Sequence, residues 1–217
     1  MNKKEKALFI NKELKKLYKN PKPPLDFSNP FTLLIAVLLS AQCTDERVNI
    51  VTKELFKKAK TPKRMQALGI KKIHSYIKTC GLAPKKSKAI YETSKILIEK
   101  YNSKVPQTIE ELVTLPGVGH KTASVVVSQA FGQPAFAVDT HIHRLAQRWG
   151  LTNGKNVTQT EKDLKRLFPK KNWNKLHLQI IFYGREYCKA RDCYGLTCKI
   201  CSTCYPNRIK PCKTNKA

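Results

Sequence analysis

Acidic residues are scarce in this chain: 15 Asp and Glu stand against 42 Lys and Arg in 217 residues, giving a formal charge of +27 and a pI near 9.9. Long apolar runs are missing too. The longest, Phe31 to Leu39, is interrupted by Thr32 and falls well short of the ~20 residues a bilayer crossing needs. The opening MNKKEKALFINKELKK lacks the apolar stretch of a secretory signal, so the cytoplasm is the expected compartment. No strand-like alternation is sustained anywhere, which predicts an all-α fold. Internal repeats and low-complexity linkers are also absent. What remains excludes a disordered polybasic tail, because 41% hydrophobic residues are too many to leave in water. The excess positive charge therefore belongs on a folded surface, and such a surface attracts polyanions, nucleic acid first and an anionic membrane face second.

Helical spacing and turn punctuation divide the chain. Leu8, Phe9, Leu14, Leu17 and Tyr18 form an apolar stripe over residues 5 to 19, and the prolines of PKPPL at 21 to 25 end it. Phe31 to Gln42 is apolar nearly all round and predicts a central buried helix, capped by Ser28 or Asn29 with Pro30 in its first turn. Amphipathic stretches follow at 45–59, 62–67, 70–79, 85–101 and 107–113, then helices at 120–131, 138–149, 158–167 and 172–188.

Residues 108 to 123, TIEELVTLPGVGHKTA, read as a short helix, a tight turn through Leu115-Pro116-Gly117-Val118-Gly119, and a second helix. Two glycines permit backbone conformations closed to other residues and let another backbone approach closely. The amides opening the second helix then point outward at the positive end of its dipole, a setting suited to phosphate oxygens. This is the pattern of a helix-hairpin-helix, a sequence-independent grip on a DNA backbone. Taken alone, a GxG is more often an ordinary turn; the preceding Leu-Pro, the following His120-Lys121 and the charge favour the grip.

Six of the eight cysteines, Cys188, Cys193, Cys198, Cys201, Cys204 and Cys212, crowd the last 30 residues, while Cys43 and Cys80 lie alone in helical patterns. In a reducing compartment a clustered set of thiols reads as a metal or iron–sulfur site rather than as disulfides.

LPGVGHKTASVV at 115–126 followed by AVDTHIHRLAQRWGL at 137–151 resembles the helix-hairpin-helix DNA glycosylases, specifically the endonuclease III branch. LLSAQCTDERVN at 38–49, CGLAPKKSKAI at 80–90 and FYGREYCKAR at 182–191 match in order and spacing as well, so the resemblance covers nearly the whole chain. It implies two lobes, a helical domain over 25–133 containing the hairpin and a cluster domain formed by 1–24 with 134–217. It also implies a base-excision DNA N-glycosylase with abasic-site lyase activity that removes oxidised pyrimidines from double-stranded DNA, acting as a monomer.

The resemblance places catalysis at Lys121 and Asp139. An amine can attack the sugar C1′, and a carboxylate can stabilise the positive charge that builds there as the base departs. Asp139-Thr140 also opens a helix, so an N-cap role is expected alongside catalysis. DNA contacts are implied at Gln42 and Leu82, which match the family's gap-filling and wedge positions, and at Leu115, Gly117, Val118, Gly119 and His120 of the hairpin. The family's cysteine pattern, C-x6-C-x2-C-x5-C, holds a 4Fe-4S cluster, and this chain departs from it. Cys188 matches the first ligand, Cys198 and Cys201 supply the x2 pair after nine spacers, and Cys204 is expected as the fourth, with Cys193 and Cys212 as alternates. Zinc is the rival metal. The adenine-mispair branch shares hairpin, Asp and cluster but usually lacks the Lys and carries a further C-terminal domain. A non-enzymatic DNA-binding module would lack the Lys and Asp together.

Overall fold

The computed structural model describes all 217 residues and is entirely helical, with no β-strand. Eleven α-helices follow one another: α1 (Lys3–Leu17), α2 (Pro30–Ser40), α3 (Asp45–Lys58), α4 (Pro62–Ile77), α5 (Ala83–Tyr101), α6 (Ile109–Leu112), α7 (His120–Phe131), α8 (Thr140–Arg148), α9 (Val157–Leu167), α10 (Trp173–Glu186) and α11 (Lys199–Cys204), with a 3-10 turn at Lys170–Asn172. The chain divides into two compact units. One comprises Met1–Lys22 with Pro134–Ala217, the other Pro23–Gln133.

The Pro23–Gln133 unit is built round α2. Asn29 caps it by accepting from the Thr32 amide at 2.8 Å, Pro30 occupies the first turn where no amide donor is needed, and Phe31 to Leu39 are all buried. A helix apolar on every side is stable only when surrounded, and α3, α5 and α7 supply the surrounding faces. Each buried leucine there is worth about 1.5–3 kcal/mol. The expected break between 62–67 and 70–79 falls at Gly69, whose φ of 71° and ψ of 161° are non-helical, so α4 consists of two helical segments joined across a kink.

In the other unit α1 packs on α9, α10 and α11, and α8 on α9 and α10. Ile10, Leu14, Phe136, Trp149 and Tyr183 are fully enclosed, with the Trp149 and Tyr183 rings edge to face at 5.9 Å. Polar ties fix the helices at their ends. Gln179 of α10 donates to the Leu14 and Tyr18 carbonyls at the end of α1, and the Ile200 amide of α11 donates to the Tyr183 hydroxyl at 3.2 Å.

Candidate nucleic-acid interface and metal centre

The hairpin forms between α6 and α7. Thr108 caps α6, the Val118 amide donates to the Leu115 carbonyl at 3.1 Å to close the turn, and Thr93 of α5 donates to the Pro116 carbonyl at 3.2 Å. Gly117 is required twice over. Its φ is +76°, and a Cβ there would stand 3.2 Å from the Ala89 Cβ and 3.3 Å from the Leu38 Cδ1. Gly119 caps α7 without any side-chain hydrogen bond, and the first turn of that helix stands at the positive end of its dipole. Leu115 and Val118 are 2% and 5% exposed, so these two expected contact residues offer backbone rather than side chain. His120 and Lys121, in the first turn of α7, are exposed.

Two further loops lie at the same end of this unit. Gln42 follows α2 and Leu82 precedes α5; both are exposed, and both are non-glycine residues in the left-handed region, at φ 53° and 61°. That conformation is uncommon outside glycine and clusters at functional sites. The loops touch: a Cβ on Gly81 would come within 2.7 Å of the Gln42 carbonyl oxygen. Beneath them sits Lys86, whose ammonium is buried and donates to the Leu39 carbonyl at 2.8 Å and the Ala41 carbonyl at 2.6 Å. Burial holds its pKa below the ordinary lysine value. It caps the C-terminal carbonyls of α2 at the negative end of the dipole. The sequence reading missed Lys86, although its spacing from Ala83 and Ile90 puts it on the apolar face of α5.

In the other unit Asp139 is the N-cap of α8, its Oδ1 accepting from the Ile142 amide at 2.8 Å. His141 is half-buried against Gly184, and His143 is buried with its Nδ1 2.8 Å from the Thr160 hydroxyl. Burial lowers the pKa of both imidazoles.

The cysteine loop follows α10. The sulfurs of Cys188, Cys193, Cys198 and Cys201 lie within 4.8 Å of one another, all four residues buried. This set runs C-x4-C-x4-C-x2-C. Cys193 takes the place expected for Cys204, which is buried but outside the group: it ends α11, one helical turn beyond Cys201, beside Lys6 and Tyr205. Cys212 is also outside, its amide donating to the Tyr194 carbonyl. Left-handed Tyr194 and Gly195 turn the chain between Cys193 and Cys198, which lets both thiols face inward despite the irregular spacing. Arg148 of α8 organises the loop, donating to the Cys188 sulfur at 3.3 Å and to the Lys189 and Ala190 carbonyls at 2.8 and 2.9 Å. Four buried thiols with no other donor form a complete ligand set for a thiophilic metal group.

A hairpin whose second helix starts without a side-chain cap, exposed left-handed loops beside it and a four-thiol centre define a class, and sequence comparison agrees. The profile of the HhH-GPD superfamily of base excision DNA repair proteins matches residues 35–170. Endonuclease III of Bacillus subtilis (strain 168) is 49% identical over 82% of this chain and 81% of its own length; that of Escherichia coli (strain K12) is 46% identical over 87% and 89%. The structure of a trapped endonuclease III–DNA covalent intermediate superposes with a TM-score of 0.87 at 43% identity, covering 92% of this chain and 94% of that one. The chain belongs to the endonuclease III family. It is a DNA glycosylase and abasic-site lyase of base excision repair.

Proposed function

We propose that Lys121 is the nucleophile and that the substrate is an oxidised pyrimidine nucleotide, or an abasic site, in double-stranded DNA. The observation that carries the proposal is the position of Lys121: it is exposed in the first turn of α7, the helix whose uncapped amides form the hairpin. A phosphate held by those amides brings the adjoining sugar to the lysine. The neutral ε-amine attacks C1′ and the base leaves with the C1′–N bond pair, taking up a proton. With one amine proton shed, the nitrogen lone pair expels the ring oxygen O4′, which takes up a proton, and the opened sugar is held as an iminium that keeps the remaining N–H. Removal of a C2′ proton then expels the 3′ phosphate by β-elimination, and water releases the lysine. Asp139 supplies the carboxylate that stabilises charge at C1′, its direction fixed by the cap bond to Ile142. Gln42 faces the orphaned base and Leu82 enters the stack. The enzyme acts as a monomer.

Borohydride in the presence of abasic-site duplex tests the nucleophile. Covalent trapping is expected with the native chain and lost in Lys121→Gln; a variant that still cross-links at the native rate refutes the assignment.

Cys188, Cys193, Cys198 and Cys201 are proposed to hold a 4Fe-4S cluster, the group the family resemblance implies, which would tie the loop after α10 to α11. A zinc reading is favoured by one observation. The Cys188 and Cys201 sulfurs are 3.8 Å apart, and thiolates about 2.3 Å from one tetrahedral ion stand roughly 3.8 Å from each other. Four thiolates each on a separate iron of a cluster need a wider spread. Metal analysis with visible absorbance decides: iron with a broad band near about 400 nm supports the cluster, and colourless active protein with one zinc refutes it.

A further inference from the structure

The Pro23–Gln133 unit has a second surface at its opposite end. α2 runs from Pro30 to the Gln42 loop, α7 from the hairpin to Phe131, and α5 from Leu82 to the Asn102 turn. At about 1.5 Å per residue these helices put roughly 16 to 28 Å between the hairpin end and the far end. At the far end lies a pocket of about 580 Å³, within the range of ligand-sized pockets. Phe31, Val105 and Phe131 line its apolar wall, and Lys60, Lys63 and Lys104 its rim. No carboxylate lines it. Its mouth is held in shape: the Asn29 side chain, which also caps α2, donates to the Lys60 carbonyl at 3.1 Å.

We infer that this pocket docks an acidic peptide segment of a partner protein, one bearing an aromatic or large aliphatic side chain among its carboxylates. The apolar wall takes that side chain, and the three lysines, two flanking the start of α4 and one after α5, meet carboxylates spread along an extended chain. Charge complementarity selects an acidic occupant. The distance from the hairpin selects a protein over the enzyme's own duplex, since DNA gripped at the α7 N-terminus lies at the other end of the helices. A partner bound here leaves the DNA-facing loops free, so enzyme, DNA and partner form one complex. The inference concerns a surface apart from the reaction and stands whether or not Lys121 is the nucleophile.

Fluorescence anisotropy tests it, using a fluorescein-labelled Asp/Glu-rich peptide with a single Phe and the intact enzyme. Binding is expected both without DNA and with saturating duplex carrying a stable abasic analogue. Changing the peptide's Phe to Ala is expected to weaken binding about tenfold or more, as are Lys60→Glu, Lys104→Glu and Phe131→Ala in the enzyme. Abasic-site cleavage by the two lysine variants stays at the native rate, which shows that they are folded. Equal affinity for the Phe-less peptide, unchanged affinity in both lysine variants, or displacement by the duplex would each overturn the inference. Displacement of the peptide by single-stranded DNA, with DNA binding lost in Lys104→Glu, would assign the pocket to nucleic acid instead.

Discussion

Replacing Lys86 by Met isolates what one buried ammonium does for the loops that carry Gln42 and Leu82. Met keeps most of the aliphatic volume, so packing in α5 is largely retained. Two charge-assisted hydrogen bonds disappear, to the Leu39 and Ala41 carbonyls. Each such bond is worth about 1.5–3 kcal/mol. The loss is offset by relief of the ammonium's desolvation, the same burial that lowers the Lys86 pKa. Ala41 is exposed and its carbonyl can turn to water; the Leu39 residue is wholly enclosed, and an orphaned buried carbonyl costs about 1–3 kcal/mol. The net expectation is about 2 kcal/mol of destabilisation, a fall of roughly 4–8 °C in Tm for a chain of this size. Thermal unfolding by circular dichroism measures it, and anisotropy with abasic-analogue duplex should show weaker binding because Gln42 follows directly on the freed carbonyls. A Tm within about 1 °C of the native value, with native DNA affinity, would refute the idea that Lys86 holds this end of α2.

Gly117→Ala should weaken binding to any duplex and destabilise the fold by about 1–3 kcal/mol, because a Cβ there meets Leu38 and Ala89 and φ is +76°; native denaturant midpoints would contradict this. Arg148→Lys should lower the metal content of purified protein, since one ammonium cannot serve the Cys188 sulfur and the Lys189 and Ala190 carbonyls together. Elemental analysis per mole of protein checks that. His141 and His143 are held neutral by burial, with folded pKa values below their ordinary one. Below about pH 6.5 the unfolded chain therefore binds protons that the folded chain refuses, and stability falls as pH drops, at about 1.4 kcal/mol per pH unit for each histidine. Urea midpoints across that range should fall, and His143→Gln should flatten the slope. Asp139→Asn should keep the α8 cap, hence the native Tm, and still lose base excision, whereas a cap-breaking Asp139→Ala should cost about 1 kcal/mol in addition; excision at the native rate in Asp139→Asn would remove its catalytic role.

Helix order was legible because apolar periodicity and capping residues are local. Asn29-Pro30, Thr61-Pro62 and Gly132 mark helix ends in the sequence and do so in the structure. The hairpin was legible for the same reason, since its glycines, its closing bond and its uncapped helix lie within a dozen residues. The cysteine set was only half legible. Five of the clustered thiols are buried, and sequence spacing cannot tell which buried sulfurs converge. That depends on a left-handed turn at Tyr194-Gly195 and on α11, which carries Cys204 one turn past Cys201. Arg148 was illegible because its partners are carbonyls and a sulfur some 40 residues away, which leave no trace in composition.

The excess of lysine makes the same point about function. Charge alone predicts a polyanion partner and treats every Lys and Arg alike. The structure separates three kinds by environment. Lys86 is buried and acts as a helix cap, so its replacement should change stability first and DNA binding through it. Lys121 is exposed in the first turn of α7, so Lys121→Gln should leave stability unchanged and abolish chemistry. Lys60, Lys63 and Lys104 edge an apolar pocket at the far end of the same helices, so their reversal should change neither. Three measurements on single-lysine variants, Tm, borohydride trapping and acidic-peptide affinity, should therefore each respond to a different set. A variant from one set that moved another set's measurement by as much as its own would mean that environment does not partition these roles.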